Sequence, residues 1–189
     1  KGEQMAENGA ARIRLGMVGG GTGAFIGYVH RVAARIDGDY ELVAGALSSR
    51  PEVAIESGKN IGLAEDRIYT SYEEMAAKES ARKDGIQAVS IVTPNHMHYG
   101  PAKAFLEAGI HVICDKPLTS TLEDARALSA IKPKKGAKFL LTHNYTGYPL
   151  VRQARELVKS GALGKIRVVQ VEYPQDWLTN AADPGNKQA

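Results

Sequence analysis

The sequence predicts an α/β protein built on a doubly wound parallel sheet. Three observations predict it. Short apolar segments alternate with amphipathic helical ones along most of the chain, and the connections are short. The apolar segments are near-continuous, as strands buried on both faces are. Polar residues close one strand after another: Ser48-Ser49-Arg50, Thr93-Pro94-Asn95-His96, Asp115-Lys116-Pro117 and His143-Asn144. In an open parallel sheet such carboxyl ends line one crevice, where ligands bind.

The elements follow in order. Ile13 to Val18 reads as a buried strand, followed by the turn Gly19-Gly20-Gly21-Thr22-Gly23-Ala24 and an amphipathic helix to Ile36. Strand, glycine turn and helix form the local design for holding a pyrophosphate. Gly19 makes the tight turn, Gly21 lets the backbone approach the phosphates, and Ala24 is the small residue at which helix packs close to strand. The first N–H groups of the helix point at the anion, where a charge is worth ~0.3–1 kcal/mol. Gly21-x-Gly23 is a second phasing, but it puts Ile26 at the close-packing position, which fits poorly.

Tyr40 to Leu47 is apolar enough for a central strand. Pro51 suits the first turn of a helix reaching Asn60, which Gly58 and Gly62 weaken and end. Arg67 to Thr70 reads as a short strand. Ser71, with Glu74 three residues later, makes a capping box for a helix to about Lys83. The next strand, Ile86 to Val92, runs into Thr93-Pro94-Asn95. A helix from Met97 to Ala108 follows, with Gly109 past its end. His111 to Cys114 is a strand stopping at Asp115. Thr121 caps a helix to Ile131, and Lys138 to Thr142 is a further strand. A helix then spans Pro149 to Lys159, stopped by Gly161.

The pattern changes near Tyr145. Lys165 to Tyr173 sets Lys165, Arg167, Gln170 and Glu172 against Ile166, Val168, Val169 and Val171, the alternation of a half-exposed strand. Nothing after Tyr173 is suited to pair with it, and a lone edge strand is unstable. The expectation is a nucleotide-binding domain over residues 10–144. Residues 145–189 would be a linker helix and the first strand of an α+β second domain that is truncated or supplied elsewhere.

Composition narrows the function. The chain is 43% hydrophobic and 24% charged, with net charge +3. That charge is too mild to argue for a nucleic-acid partner, and the one basic cluster, Lys132-Pro133-Lys134-Lys135, falls in a predicted loop and reads as solvated surface. A single cysteine, Cys114, lies inside an apolar strand, so no disulfide forms within the chain and a buried thiol is expected. Lys1 to Ala11 lacks the apolar core of a signal peptide, and no apolar run approaches a membrane span. The expectation is a cytoplasmic protein with no membrane partner. His96 and His98 have no Cys or carboxylate pair to complete a metal set, so no metal is expected.

The segment Ile91-Val92-Thr93-Pro94-Asn95-His96-Met97-His98, followed by Ala104 to Leu118 with Ala108-Gly109-Ile110-His111-Val112 and Asp115-Lys116-Pro117, resembles a known family. It is similar to the glucose–fructose oxidoreductase / inositol dehydrogenase / MocA family of NAD(P)-dependent dehydrogenases, and the resemblance covers almost the whole chain. That family usually has Glu where this chain has Asp115, which shortens the carboxylate's reach. The resemblance implies a Rossmann domain in which Gly19, Gly20, Gly21, Thr22, Gly23 and Ala24 hold the pyrophosphate. Thr93, Pro94, Asn95 and His98 would line the nicotinamide side. Ser48 stands where NAD-specific members carry the ribose-binding Asp. Its absence removes both the partner for the 2′-hydroxyl and the repulsion against a 2′-phosphate. Ser48, Ser49 and Arg50 are then candidates for that phosphate, and the reading favours NADP over NAD.

Lys116 is the implied catalytic residue. Hydride removal from a carbinol leaves a developing carbonyl, and an ammonium there can hydrogen-bond the oxygen and relay its proton; burial beside a cationic nicotinamide would tune it for this. Pro117 would fix the turn that aims it, and Asp115 would orient it by pairing. His143 and Asn144 would reach cofactor or substrate, although Asn144-Tyr145-Thr146-Gly147-Tyr148 departs from the arginine-containing pattern common in the family. The Asp-x-x-x-His pair of the family's second domain is absent, the last histidine being His143. The chain by itself is therefore expected to bind dinucleotide but turn over poorly.

The implied activity is hydride transfer between nicotinamide and a secondary hydroxyl or ketone of a sugar, inositol or related polyol, in a homo-oligomer formed through the second domain. The rival readings are a non-catalytic dinucleotide sensor or structural relative, and redox-assisted glycoside cleavage.

Overall fold

The computed structural model describes residues 11–174 and 176. The N-terminal residues 1–10 and the last part of the expected second domain lie outside the described residues. The chain divides after Thr142 into two compact units.

The first unit is a five-stranded, all-parallel sheet in the order β2-β1-β3-β4-β5. Its strands are β1 (Ile13–Gly19), β2 (Tyr40–Ala46), β3 (Ala88–Val92), β4 (His111–Asp115) and β5 (Phe139–Thr142). Helices α1 (Phe25–Ile36), α2 (Pro51–Asn60), α3 (Tyr72–Ala81), α4 (Tyr99–Ala108) and α5 (Leu122–Ser129) connect them. The doubly wound architecture expected from the alternation is the one found. β3 is buried at every position, as a strand covered on both faces must be. The largest apolar cluster gathers Val18, Val89, Ile91, Phe105 and Val112; a smaller one holds Met17, Leu47, Leu63 and Val92.

Strand order reverses between β1 and β3, where Gly19 stands opposite Val92. This is the switch point at which such sheets open a crevice. It brings the glycine turn and the Thr93 loop side by side.

Local chemistry sets the helix ends. The Ser71 hydroxyl accepts from the Glu74 N–H, so half of the expected capping box forms; the Glu74 carboxylate takes Lys78 instead. The Thr121 hydroxyl caps α5 by accepting from the Asp124 N–H. Gly109 closes α4 in the left-handed conformation (φ +82°) expected of it. The Lys132–Lys135 cluster is exposed.

The structure departs from the expected elements in several places. Arg67–Thr70 is not a strand: Glu65–Arg67 forms a 3-10 turn, and a single parallel bridge joins Ile68 to Gly45. The reason is a buried ion pair. The Arg67 guanidinium donates to Glu79, whose carboxylate also accepts from the Tyr69 hydroxyl (2.7 Å) and the Ile86 N–H (3.0 Å). A charge at such depth needs all of these partners, and the backbone follows the side chain. The same carboxylate takes the Ile86 N–H, and the regular strand β3 begins at Ala88 rather than Ile86. Asn95–Met97 winds as a 3-10 turn before α4, so the regular helix begins at Tyr99 rather than Met97.

The second unit holds a 3-10 turn (Asn144–Gly147) and α6 (Pro149–Lys159), the helix having the predicted bounds. The alternating segment 165–173 forms no strand, and Val168, Val169 and Val171 are more than three-quarters exposed. A strand exists only through its ladder, and among the described residues none pairs with this segment.

Candidate cofactor and catalytic site

The turn after β1 builds a cleft of about 340 Å³ whose lining includes Gly20 to Phe25, Arg31 and Ser57. Gly19 (φ +79°), Gly20 (φ +74°) and Gly23 (φ +81°) all sit in the left-handed region that side chains resist. Gly19 makes the tight turn as expected. The two other glycine roles fall elsewhere than the sequence suggested. A Cβ on Gly21 would meet the Leu47 carbonyl and the Ser57 hydroxyl, both at 2.8 Å, so its close approach is to the protein itself; its N–H donates to Leu47. Gly23 is the open position: among the described residues nothing lies within 4 Å of where a Cβ would stand.

Ala24 is not the close-packing residue. It is exposed and precedes α1 as its N-cap, with no side chain capping the helix. Close packing falls to Gly27, one turn on: a Cβ there would lie 2.3 Å from the Gly20 Cα. The signal was a glycine inside a strongly amphipathic helix, where it costs about 1 kcal/mol relative to alanine unless packing requires it.

Two further side chains shape this end. Ser57 accepts from the Thr22 N–H (2.9 Å) and shares a bond with the Thr22 hydroxyl. Arg31 donates to the Gly20 carbonyl at 2.8 Å, placing a cation on the cleft wall. Burial, and then the like charge of Arg35, pull its pKa below the ordinary arginine value. An uncapped helix N-terminus, an open glycine and a cation together suit an anionic group such as a pyrophosphate.

At the end of β2 the Ser48 hydroxyl accepts from the Arg50 N–H (3.1 Å), forming a local turn. Ser49 and Arg50 are exposed. No carboxylate stands among Ser48, Ser49 and Arg50.

The β3 and β4 ends hold the other candidates. Pro94 and Asn95 are exposed, while the Thr93 hydroxyl donates to the Met97 carbonyl. His98, expected to line the nicotinamide side, is 1% exposed, and its ring nitrogens meet the backbone carbonyls of Pro117 (2.7 Å) and Thr93 (3.0 Å). A ring so enclosed has no free polar edge to offer a ligand.

Asp115 does not pair with Lys116. Its carboxylate accepts from the Thr142 hydroxyl (2.7 Å) and lies 3.8 Å from His30 Nε2, an ion-pair distance rather than a hydrogen bond. His30 in turn meets the Ser90 hydroxyl at 2.8 Å. Burial pushes the Asp115 pKa up, but His30, Thr142 and the Lys116 N–H outweigh it and leave the value lowered. Lys116 itself is exposed, not buried as expected, and among the described residues its ammonium makes no ion pair. The Lys116–Pro117 peptide is cis. Cys114, fully buried beneath, has its thiol pushed up to about 12 by desolvation and by Asp115.

Asn144 belongs to the second unit, exposed in its opening turn. Among the described residues no group of three or more His, Cys, Asp or Glu side chains is arranged to hold a metal, and no helix is long and apolar enough to cross a membrane.

Residues 13–143 match the model of an oxidoreductase family described as having an NAD-binding Rossmann fold. An oxidoreductase from Sinorhizobium meliloti superposes with TM-score 0.84 at 64% identity, over 89% of this chain and 47% of that one. An inositol dehydrogenase homologue from Azotobacter vinelandii, solved with NADH and myo-inositol, superposes with TM-score 0.77 at 44% identity, over 82% and 41%. A levoglucosan dehydrogenase from Pseudarthrobacter phenanthrenivorans is 32% identical over 181 residues, 92% of this chain and 43% of that protein. The chain spans less than half the length of the curated relatives it matches first.

Proposed function

Because this chain belongs to the glucose–fructose oxidoreductase / inositol dehydrogenase / MocA family of NAD-binding Rossmann-fold oxidoreductases, we propose that it is the dinucleotide-binding half of an enzyme acting on the CH–OH group of a sugar, inositol or related polyol. The glycine turn, the α1 N-terminus and Arg31 hold the pyrophosphate. Thr93, Pro94 and Asn95, one strand over, bound the nicotinamide end. The nicotinamide supplies or accepts the hydride when bound.

Lys116 does the proton work. Its ammonium hydrogen-bonds the reacting oxygen, stabilises the charge that develops there and moves the hydroxyl proton. The observation that carries this reading is the position of Lys116. It is an exposed cation without an ion-pair partner among the described residues, at the carboxyl end of the strand next to the switch-point strand β3, between two neighbours whose polar groups are fixed.

The reading favours NADP. The β2 end offers no carboxylate to bind a 2′-hydroxyl or repel a 2′-phosphate, and Arg50 is exposed there. Fluorescence titration of the full-length protein with NADH and NADPH, followed by turnover on a panel of inositols and aldoses, tests both parts. A clear preference for NADH overturns the role given to Arg50. Tight dinucleotide binding with no turnover on any polyol overturns the activity.

A further inference from the structure

Two loops that meet at the candidate catalytic edge share one side chain. His98 is 1% exposed, with Nδ1 2.7 Å from the Pro117 carbonyl and Nε2 3.0 Å from the Thr93 carbonyl. A carbonyl oxygen only accepts, so the neutral ring, with one N–H, donates to one of the two, and only the doubly protonated ring donates to both; Nδ1–H to the nearer Pro117 carbonyl is the bond the strap requires. The two oxygens lie on different segments. Thr93 directly follows β3 at the switch point, and Pro117 directly follows Lys116. The residue on the other side of Lys116 is fixed too, since the Asp115 carboxylate accepts from Thr142 on β5. Lys116 is thus the exposed middle of a tripeptide anchored at both ends.

We propose that His98 is a positioning residue for Lys116: it straps the Pro117 carbonyl to the Thr93 end of β3 and so fixes where the lysine stands at the crevice. This rests on the reading of Lys116 as the proton-transfer residue. An ammonium that must meet one developing oxygen gains from a backbone that does not wander, because a misplacement of about 1 Å can cost on the order of 100-fold in rate. The strap is a side chain from the end of one loop, just before α4, closing on the backbone of another, so it acts on Lys116 without touching substrate or cofactor.

The test uses His98→Leu, which keeps bulk but has no donor, and His98→Gln, whose amide retains donors. Both are made in the full-length protein and compared by kcat, KM, NADH and NADPH affinity, and backbone amide exchange across residues 116–119. The expected result is a fall in kcat of about 10- to 100-fold for His98→Leu. Dinucleotide affinity should stay within about twofold, 116–119 should exchange faster, and His98→Gln should restore most of kcat and protection. Unchanged kcat in a folded His98→Leu overturns the proposal. So does an equal loss of kcat, affinity and thermal midpoint in both variants, which is what a general packing role predicts. If the wild-type protein turns over no polyol, the functional reading fails by itself. Amide exchange then decides the strap: faster exchange at 116–119 confined to His98→Leu supports it, and unchanged exchange overturns it.

Discussion

The two sides of the switch point are built from opposite materials. On the β1 side the structure is almost all backbone: Gly19, Gly20 and Gly23 in left-handed conformations, and Gly27 pressed against Gly20. On the β3–β4 side it is a mesh of polar side chains. His98 bridges two loops, and Asp115 ties β4 to β5 with His30 and Ser90 behind it. The difference teaches where each side is vulnerable. A backbone cradle fails when a Cβ is added, whereas a side-chain mesh fails when a donor is removed. The first would hold an anion by many N–H dipoles; the second would aim a single ammonium.

The sharpest way to separate the two sides is Lys116→Ala. It removes the one group that the mesh presents and leaves the cradle untouched. Turnover by the full-length protein is expected to fall by about 10²- to 10⁴-fold, with NADH and NADPH affinity unchanged in a fluorescence titration. A rate that persists would remove the catalytic role and leave the mesh as scaffolding.

The next test breaks the cradle. Gly27→Ala adds a Cβ 2.3 Å from the Gly20 Cα and 2.6 Å from its carbonyl oxygen, both backbone atoms that cannot swing aside. Overpacking of this kind costs about 1–3 kcal/mol, read as a lower urea midpoint, and dinucleotide affinity should fall with it. Gly23→Ala is the control, for there the added methyl meets nothing and only the positive φ is strained. Equal losses at both positions would mean that turn conformation, not helix-to-strand contact, governs the cradle.

These two sides were not equally legible in the sequence. Period and composition marked all five strands, though they marked 67–70 and 165–173 as well, which form none; burial on both faces leaves its mark in every residue only in β3. The glycine turn was visible too, but not its phasing. Assigning the close-packing role to Ala24 rather than Gly27 followed from fixed motif spacing, and only the longer turn seen in the structure moves that contact one helical turn along. The mesh was hardest to read. Asp115 and Lys116 are adjacent, so pairing was the natural expectation; yet successive strand residues point to opposite faces, and Thr142 stands opposite Asp115 in register. His98 was placed at the ligand because its motif is functional, while its burial depends on a loop 19 residues away. The segment 165–173 carries a true amphipathic pattern, but a strand needs a ladder that no local pattern supplies.

A smaller effect examines the mesh through pH. Asp115 has a lowered pKa in the folded protein. Its contribution is fully present above the unfolded value of about 3.9 and is lost as pH falls through the folded value. Asp115→Asn, which keeps an oxygen for the Thr142 hydroxyl, should remove roughly 1 kcal/mol at neutral pH. It should also flatten the acid limb of a stability-versus-pH curve measured by urea unfolding. An unchanged acid limb would show that this carboxylate has no folded-state advantage.

The smallest expected effect lies directly under the mesh. Cys114 is fully buried one residue before Asp115, and its pKa of about 12 reflects desolvation first and the neighbouring carboxylate second. At pH 8 its thiolate fraction is then roughly three orders of magnitude below that of an ordinary thiol. Iodoacetamide should leave the native protein unlabelled and its dinucleotide binding unchanged, while the unfolded chain is alkylated readily. Labelling of the native protein would mean that β4 opens beneath Lys116. A lysine on such a strand would not be held in place by anchors at its neighbours. Native labelling would therefore weigh against the rigid aim that distinguishes this side of the crevice from the glycine side.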